Sequence, residues 1–308
     1  MVISVIHGWR FGHCPFHSAV HTAQPVNDDV IFMAVLKHYR YDNGAHTVEG
    51  FRVGRFNAGI NTTFIVYRIG DTLIDAGPAN QWRFIRDELQ PVEIKRLLIT
   101  HHHEDHAGNA SRIARLKNLL PYAPELGRQK IATGYRTPWL QQLIWGRLVP
   151  AQTQSMPEKM QLDDGTEIIA VHTPGHAKDL TCLFFPQQKY LFSGDMYISR
   201  SLKMLRADED LAQLITSLEA LLALDFEVLF CPHNGIVEQG KQALQDKYNN
   251  LTELCQRAAD LHQQGKAEAE IILSLVGKEG MLAKITGGNF SKQNLIRQAI
   301  ALGKVNRL

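Results

Sequence analysis

Arg96-Leu97-Leu98-Ile99-Thr100-His101-His102-His103-Glu104-Asp105-His106-Ala107-Gly108-Asn109 is the stretch on which the reading of this chain turns. A short apolar run, with the composition of a buried strand, ends abruptly in seven polar residues. Crowding polar side chains at the end of a buried strand is unfavourable unless something compensates them. A divalent cation does so, because imidazole nitrogen and carboxylate oxygen are donors it prefers. Along a loop, alternation sends His101 and His103 one way and leaves Asp105 and His106 to reach another. That division suits two metals side by side.

Two metals need more donors than one loop supplies, and three further candidates lie downstream. His172-Thr173-Pro174-Gly175-His176 follows a predicted strand at 167–171, and Ser193-Gly194-Asp195 follows one at 190–192. Cys231-Pro232-His233-Asn234-Gly235 follows one at 228–230. Each candidate sits just past the C-terminal end of an apolar run, with Pro or Gly shaping the turn.

Short β-branched and apolar runs begin at about Val53, with strands expected at 63–68, 72–74, 96–99, 167–171, 182–185, 190–192 and 228–231. The first two are close enough, through Gly70 and Asp71, to form a hairpin. A helix is expected over 208–222 behind an N-capping Asp, its apolar face made by Leu211, Leu214, Ile215, Leu218, Leu221 and Leu222. Residues 115–160 read as an irregular insertion. Within it Trp139, Leu140, Leu143, Ile144 and Leu148 form a helical stripe, expected to be ordinary packing ahead of a lid. After Gln239 the pattern is helical, with further helices at 267–276 and from an N-capping Ser291. The division expected is an N-terminal extension at 1–32, a catalytic domain at 33–240 and a helical segment at 241–308. In the extension, His13, His17 and His21 have a metal-like spacing of four. Pro15 argues against the helix that would align them, and Met33 is a candidate start.

The 33 basic and 31 acidic residues leave a net charge of +2, so no strong field draws the protein to nucleic acid or membrane. Four scattered cysteines, with no Cys-x-x-Cys pair, suit a reducing cytoplasm. No apolar run reaches the length of a membrane span.

The motifs His-x-His-x-Asp-His, Thr-Pro-Gly-His, Ser-Gly-Asp and a late His-x-Gly, in that order over about residues 53–240, resemble the metallo-β-lactamase-fold hydrolase superfamily. The resemblance implies an α/β protein, a four-layer αβ/βα sandwich with the metals at one edge, here with a C-terminal helical extension. It implies that His101, His103 and His176 hold one metal, that Asp105, His106 and His233 hold the second, and that Asp195 bridges them. Asp75 matches an acid that supports the metal loop; by residue type alone it is equally a turn former. His102 and His172 are skipped by the pattern and are expected beside the site. Ala177-Lys178-Asp179 departs from the stretch usual after the Thr-Pro-Gly-His motif, and Pro232-His233-Asn234-Gly235 replaces the usual His-Gly pair.

Asp at the bridging position is similar to glyoxalase II, whereas many β-lactamases carry Cys there. The expected function is a cytoplasmic hydrolase in which two divalent ions, zinc ahead of iron or manganese, activate a hydroxide against a small-molecule ester or thioester. Asp105 is the expected catalytic residue, orienting that nucleophile. Arg200 and Lys203 are candidates for holding an anionic part of the substrate. The alternatives are an RNA- or phosphodiester-cleaving enzyme of the same fold and a non-hydrolytic iron oxygenase or metal-binding regulator. The C-terminal helices would cover the pocket or mediate a homodimer.

Overall fold

The computed structural model describes residues 36–44, 46–56 and 62–305. The candidate extension, with its histidines, Cys14 and Met33, lies outside them. The first sheet runs in chain order through seven strands: β1 (Lys37–Asp42), β2 (Thr47–Val53), β3 (Phe64–Ile69), β4 (Thr72–Ile74), β5 (Arg96–Leu98), β6 (Tyr122–Ala123) and β7 (Gln154–Ser155). Pairing is antiparallel from β1 to β4 and parallel from β4 to β7. The second sheet contains β8 (Lys159–Gln161), β9 (Glu167–His172), β10 (Thr181–Phe185) and β11 (Tyr190–Phe192). A short β12 (Leu205–Arg206) departs from it before β13 (Val228–Cys231) and β14 (Gly235–Val237) complete it. Its order is β14-β13-β11-β10-β9-β8, and β11 with β13 is its one parallel pair among the described residues.

Alternation along the strands builds three apolar layers. In β3, Ile65 and Tyr67 face the second sheet, while Phe64 and Val66 face outward. In β13, Val228 and Phe230 face inward, while Leu229 and Cys231 face outward. Between the sheets Phe192 and Phe230 stack with ring centroids 4.6 Å apart. Outside the first sheet, α1 (Trp82–Leu89), α2 (Ala110–Lys117), α3 (Glu125–Thr133) and α4 (Trp139–Trp145) bury Ile85, Leu89, Ile113, Ile131 and Trp145 against it. Outside the second lies α5 (Leu211–Leu222). With it come α6 (Gly240–Gln263), α7 (Glu268–Val276), α8 (Met281–Ile285), β15 (Phe290–Ser291), paired with β12, and α9 (Lys292–Val305). Strands buried on both faces need helices over each sheet. The result is the four-layer αβ/βα sandwich.

Three expectations shift. The first sheet starts at Lys37, before the first predicted strand, because β1 is an edge strand with charges at Lys37, Arg40 and Asp42 and an exposed face, so it lacks an apolar run. The insertion at 115–160 is not irregular: it supplies α3, α4 and the parallel edge strands β6 and β7. The helix expected over 208–222 begins at Leu211, capped by Asp210, whose carboxylate accepts the Gln213 N–H at 3.0 Å. Ser291 does cap α9, accepting the Asn294 N–H at 3.1 Å.

The C-terminal helices are part of the main core. Leu244, Leu251, Leu295 and Ile296 share one apolar cluster with α5 and the outer face of the second sheet. The backbones of α6 and α9 touch at Gly303, where a Cβ would lie 2.3 Å from the Cys255 carbonyl oxygen. Gly303→Ala is therefore expected to lower stability by about 1–3 kcal/mol, seen as a lower urea midpoint at unchanged slope.

Candidate metal centre

Parallel pairing places the C-terminal ends of strands side by side. β4 delivers Asp75 and its neighbour β5 delivers residues 100–106; β11 delivers Asp195 and its neighbour β13 delivers His233. His176 follows β9 in a turn that needs Gly175, where φ is +136° and a Cβ would sit 2.5 Å from the Leu214 nitrogen. The two sheets thus empty onto one edge.

There the seven expected ligands converge in two groups that share Asp195. His101, His103, His176 and Asp195 form one, and Asp105, His106, Asp195 and His233 the other, with the donor atoms of each within 4.8 Å of one another. In the first group His103 Nδ1 lies 2.9 Å from His101 Nε2 and 3.1 Å from His176 Nε2, and Asp195 Oδ2 lies 3.1 Å from His176 Nε2. In the second, Asp195 Oδ1 is 3.2 Å from both His106 Nε2 and His233 Nε2, and Asp105 Oδ2 is 3.4 Å from His233 Nε2. One carboxylate therefore turns an oxygen to each group.

The rings are held from behind. Nδ1 of His101 meets Thr100 Oγ1 at 3.1 Å, Nδ1 of His106 meets Asp75 Oδ2 at 2.8 Å, Nδ1 of His176 meets Glu209 Oε1 at 2.6 Å, and Nδ1 of His233 meets the Thr63 carbonyl at 2.9 Å. Each contact aims Nε2 into the centre, as supporting groups around metal sites do. His103 is turned round, with Nδ1 inward and Nε2 3.3 Å from Arg206 Nη1. Asp75 has the left-handed φ of +60°, unusual away from glycine. Its carboxylate also accepts the Thr100 N–H at 2.7 Å and the Thr100 hydroxyl at 2.9 Å.

Electrostatics divide the histidines. Burial, then His106, holds His101 well below the usual imidazole range, and burial with His101 and His176 does the same to His103. For His106, burial is outweighed by Asp75, Asp195 and Asp105, and its pKa is raised well above the ordinary value. Burial is likewise outweighed at His176, raised to about 9 by Asp195 and Glu209, and at His233, raised by Asp195 and Asp105. Protons on these three rings and metal ions compete for the same nitrogens.

The donor set fits divalent cations. Buried His106 Nε2 and Asp195 Oδ1 have no hydrogen-bond partner although they lie 3.2 Å apart, the signature of two atoms aimed at a third. Nitrogen and carboxylate donors at this density suit zinc, iron or manganese.

The remaining candidates separate. His102 is buried but faces away, its Nδ1 2.6 Å from Asp179 Oδ1 and its Nε2 3.0 Å from Lys130 Nζ. His172 is exposed against the Lys178 carbonyl. Lys203 lines a cavity of about 750 Å³ that opens on His176 and Asp195. Arg200 is absent from its walls and pairs with Asp246 at 2.9 Å.

Several neighbours escaped the sequence reading. Glu104 is buried, and burial with the charge of Asp105 pushes its carboxyl up to about 7; the Tyr135 hydroxyl donates to it at 3.0 Å. Its position inside the polar loop was the available signal. Glu209 and Arg206 had none, whereas Asp179 lay in the departure at Ala177-Lys178-Asp179. Lys247 of α6, 4% exposed, lines the cavity and donates to the Met196 carbonyl at 2.7 Å. Burial pushes its ammonium down to about 8, partly opposed by Cys231, Glu209 and Asp195.

With this geometry in view, comparison with known proteins is direct. The sequence profile of the metallo-beta-lactamase superfamily matches residues 57–233, more than half of the chain, and the chain belongs to that superfamily. It is similar to a hydroxyacylglutathione hydrolase of Bartonella tribocorum, 27% identical over 64% of this chain and 67% of that one. It is also similar to a thioesterase of Emericella nidulans, 28% identical over 69% of this chain and 54% of that one. The chain spans about half to two thirds of the length of such curated relatives. A metallo-beta-lactamase family protein of Thermus thermophilus superposes with a TM-score of 0.56 at 16% identity, over 89% of this chain and 93% of that one. A sec-alkylsulfatase of Pseudomonas does so at 0.55 and 19%, over 82% and 48%.

Asp75→Ala strands three buried donors at once. Metal affinity is expected to fall about 10- to 100-fold and stability by about 3 kcal/mol, measured by metal titration and by chemical denaturation. Lys247 is expected to show in pH dependence. Its pKa of about 8 lies below the ordinary 10.5, so between those values the unfolded chain binds more protons and stability rises with pH. Lys247→Met removes that rise, and the wild-type-minus-variant difference should climb by on the order of 3 kcal/mol across this window in paired denaturation curves.

Proposed function

We propose that the protein is a metal-dependent hydrolase of a small-molecule thioester or ester, built on a pair of divalent cations with zinc the first choice. The observation that carries this is the pair of four-donor groups sharing Asp195, and relatives named hydroxyacylglutathione hydrolase and thioesterase support it. In this reading His101, His103 and His176 would hold one cation and Asp105, His106 and His233 the other, with Asp195 shared between the two groups. Such cations supply a water whose pKa falls from about 15.7 to about 7, together with a Lewis acid for the acyl oxygen.

The residues of the chain do the positioning. Asp105 orients the attacking water and takes up its proton. Asp75, Thr100, Glu209 and the Thr63 carbonyl lock the imidazoles so that the donor nitrogens need no reorganisation. Substrate enters through the cavity that reaches His176 and Asp195, whose lining includes Trp145 and other apolar side chains. Lys203 offers a cation on that path. The described cysteines are poor nucleophiles: all are buried, and burial pushes Cys182 up to about 12 and Cys255 up to about 11. The lining favours a small molecule over nucleic acid, since it presents no row of cations to follow a phosphate backbone.

Chelation is expected to abolish thioester hydrolysis, and added zinc, iron(II) or manganese(II) to restore it. Asp105→Asn should lower kcat by about 10²- to 10⁴-fold with the fold retained by circular dichroism. Turnover of bis-p-nitrophenyl phosphate or RNA, with none of a panel of thioesters and esters, overturns the reading.

A further inference from the structure

The cavity beside the metal centre has two walls that the centre does not require. One comes from α4, where Trp139 and Ile144 face the space, and the other from α8, where Leu282 and Ile285 face it. Leu202 and Met204, on the segment after Asp195, line it between them. These side chains remain wet: Trp139 is 66% exposed, Ile285 50% and Leu282 36%. Apolar groups concentrated at a concave site and left open to water mark a surface built to be covered. The same cavity is lined by His176, Asp195 and Glu209, so whatever covers the walls runs continuously into the reacting centre. α8 lies beyond residue 233, where the superfamily match ends.

We propose that α4 and α8 form a clamp for an extended apolar acyl group, and that the enzyme selects its thioesters by the length of that group. The proposal rests on the hydrolase reading above and narrows it to acyl groups with an apolar stretch long enough to lie between these two walls. A short or polar acyl group would leave both walls exposed to water. Each methylene laid between them removes apolar surface from water on both sides, so transition-state binding rises stepwise with chain length.

The test uses the full-length, metal-loaded protein and acyl thioesters of N-acetylcysteamine from acetyl to decanoyl, so that only the acyl group varies. For the wild type, kcat/KM is expected to climb about threefold to fourfold per methylene. Leu282→Asp and Ile285→Asp should flatten that slope, whereas Leu273→Asp, at an exposed position of α7 outside the cavity, should keep it. Binding of the non-hydrolysable decyl and methyl thioethers, followed by tryptophan fluorescence, gives a second readout. Equal rates at every length overturn the clamp and leave the hydrolase intact. Absence of hydrolysis, with tight decyl thioether binding that Leu282→Asp destroys, upholds the clamp and removes the thioester reading. A change in oligomeric state by light scattering in Leu282→Asp, with the slope kept, assigns these walls to self-association and overturns the proposal.

Discussion

The carboxylate of Asp75 is the tie on which the centre depends. It accepts from the backbone N–H and hydroxyl of Thr100 and from the His106 ring. It therefore joins the end of β4 to both ends of the polar loop that follows β5. Asp75 does this from a left-handed backbone conformation, a local strain that the surrounding hydrogen bonds must offset. The ordered loop then packs its own rings, with the centroids of His101 and His106 only 3.9 Å apart. Without that anchor the buried imidazoles would have neither a fixed orientation nor a reason to stay dry.

An assembly of this kind is electrostatically unfinished in the chain alone. Burial, with His106 beside His101 and with His101 and His176 beside His103, holds these two rings well below the usual imidazole range, while the carboxylates hold protons on His106, His176 and His233. Asp195, in spite of burial, is held well below the carboxylate range by His233, His106 and His176. Positive charge is thus wanted at the point where Asp195 divides its oxygens, and there protons and a dication would compete for the same atoms.

The scaffold meets this demand by keeping the donors on rigid strand ends. The parallel pair β4–β5 brings Asp75 beside the donor-bearing loop, the parallel pair β11–β13 brings Asp195 beside His233, and the sandwich brings the two pairs to a common edge. The C-terminal helices complete the outer layer of the second sheet and also carry Lys247 and α8 to the cavity.

The metal-directed residues were legible because their signal is local. A polar cluster directly after an apolar strand, as at His101–His106, is visible within ten residues, and so are the turn glycines before His176 and Asp195. β1 was not legible, since a charged edge strand needs only backbone hydrogen bonds to β2 and shows no apolar period. By itself, then, the sequence determined β3, β4, β5, β9, β10, β11 and β13 and the candidate donors, because strand period and polar crowding are properties of neighbouring residues, while the sandwich followed from the resemblance its motifs carry. Only the tertiary structure decided which groups stand behind those donors and what lines the path to them. Glu209 meets His176 across 33 positions and the Thr63 carbonyl meets His233 across 170, separations at which residue type carries no directional information. The meeting of α4 with α8 at one cavity has the same origin, for it exists only once both sheets are packed.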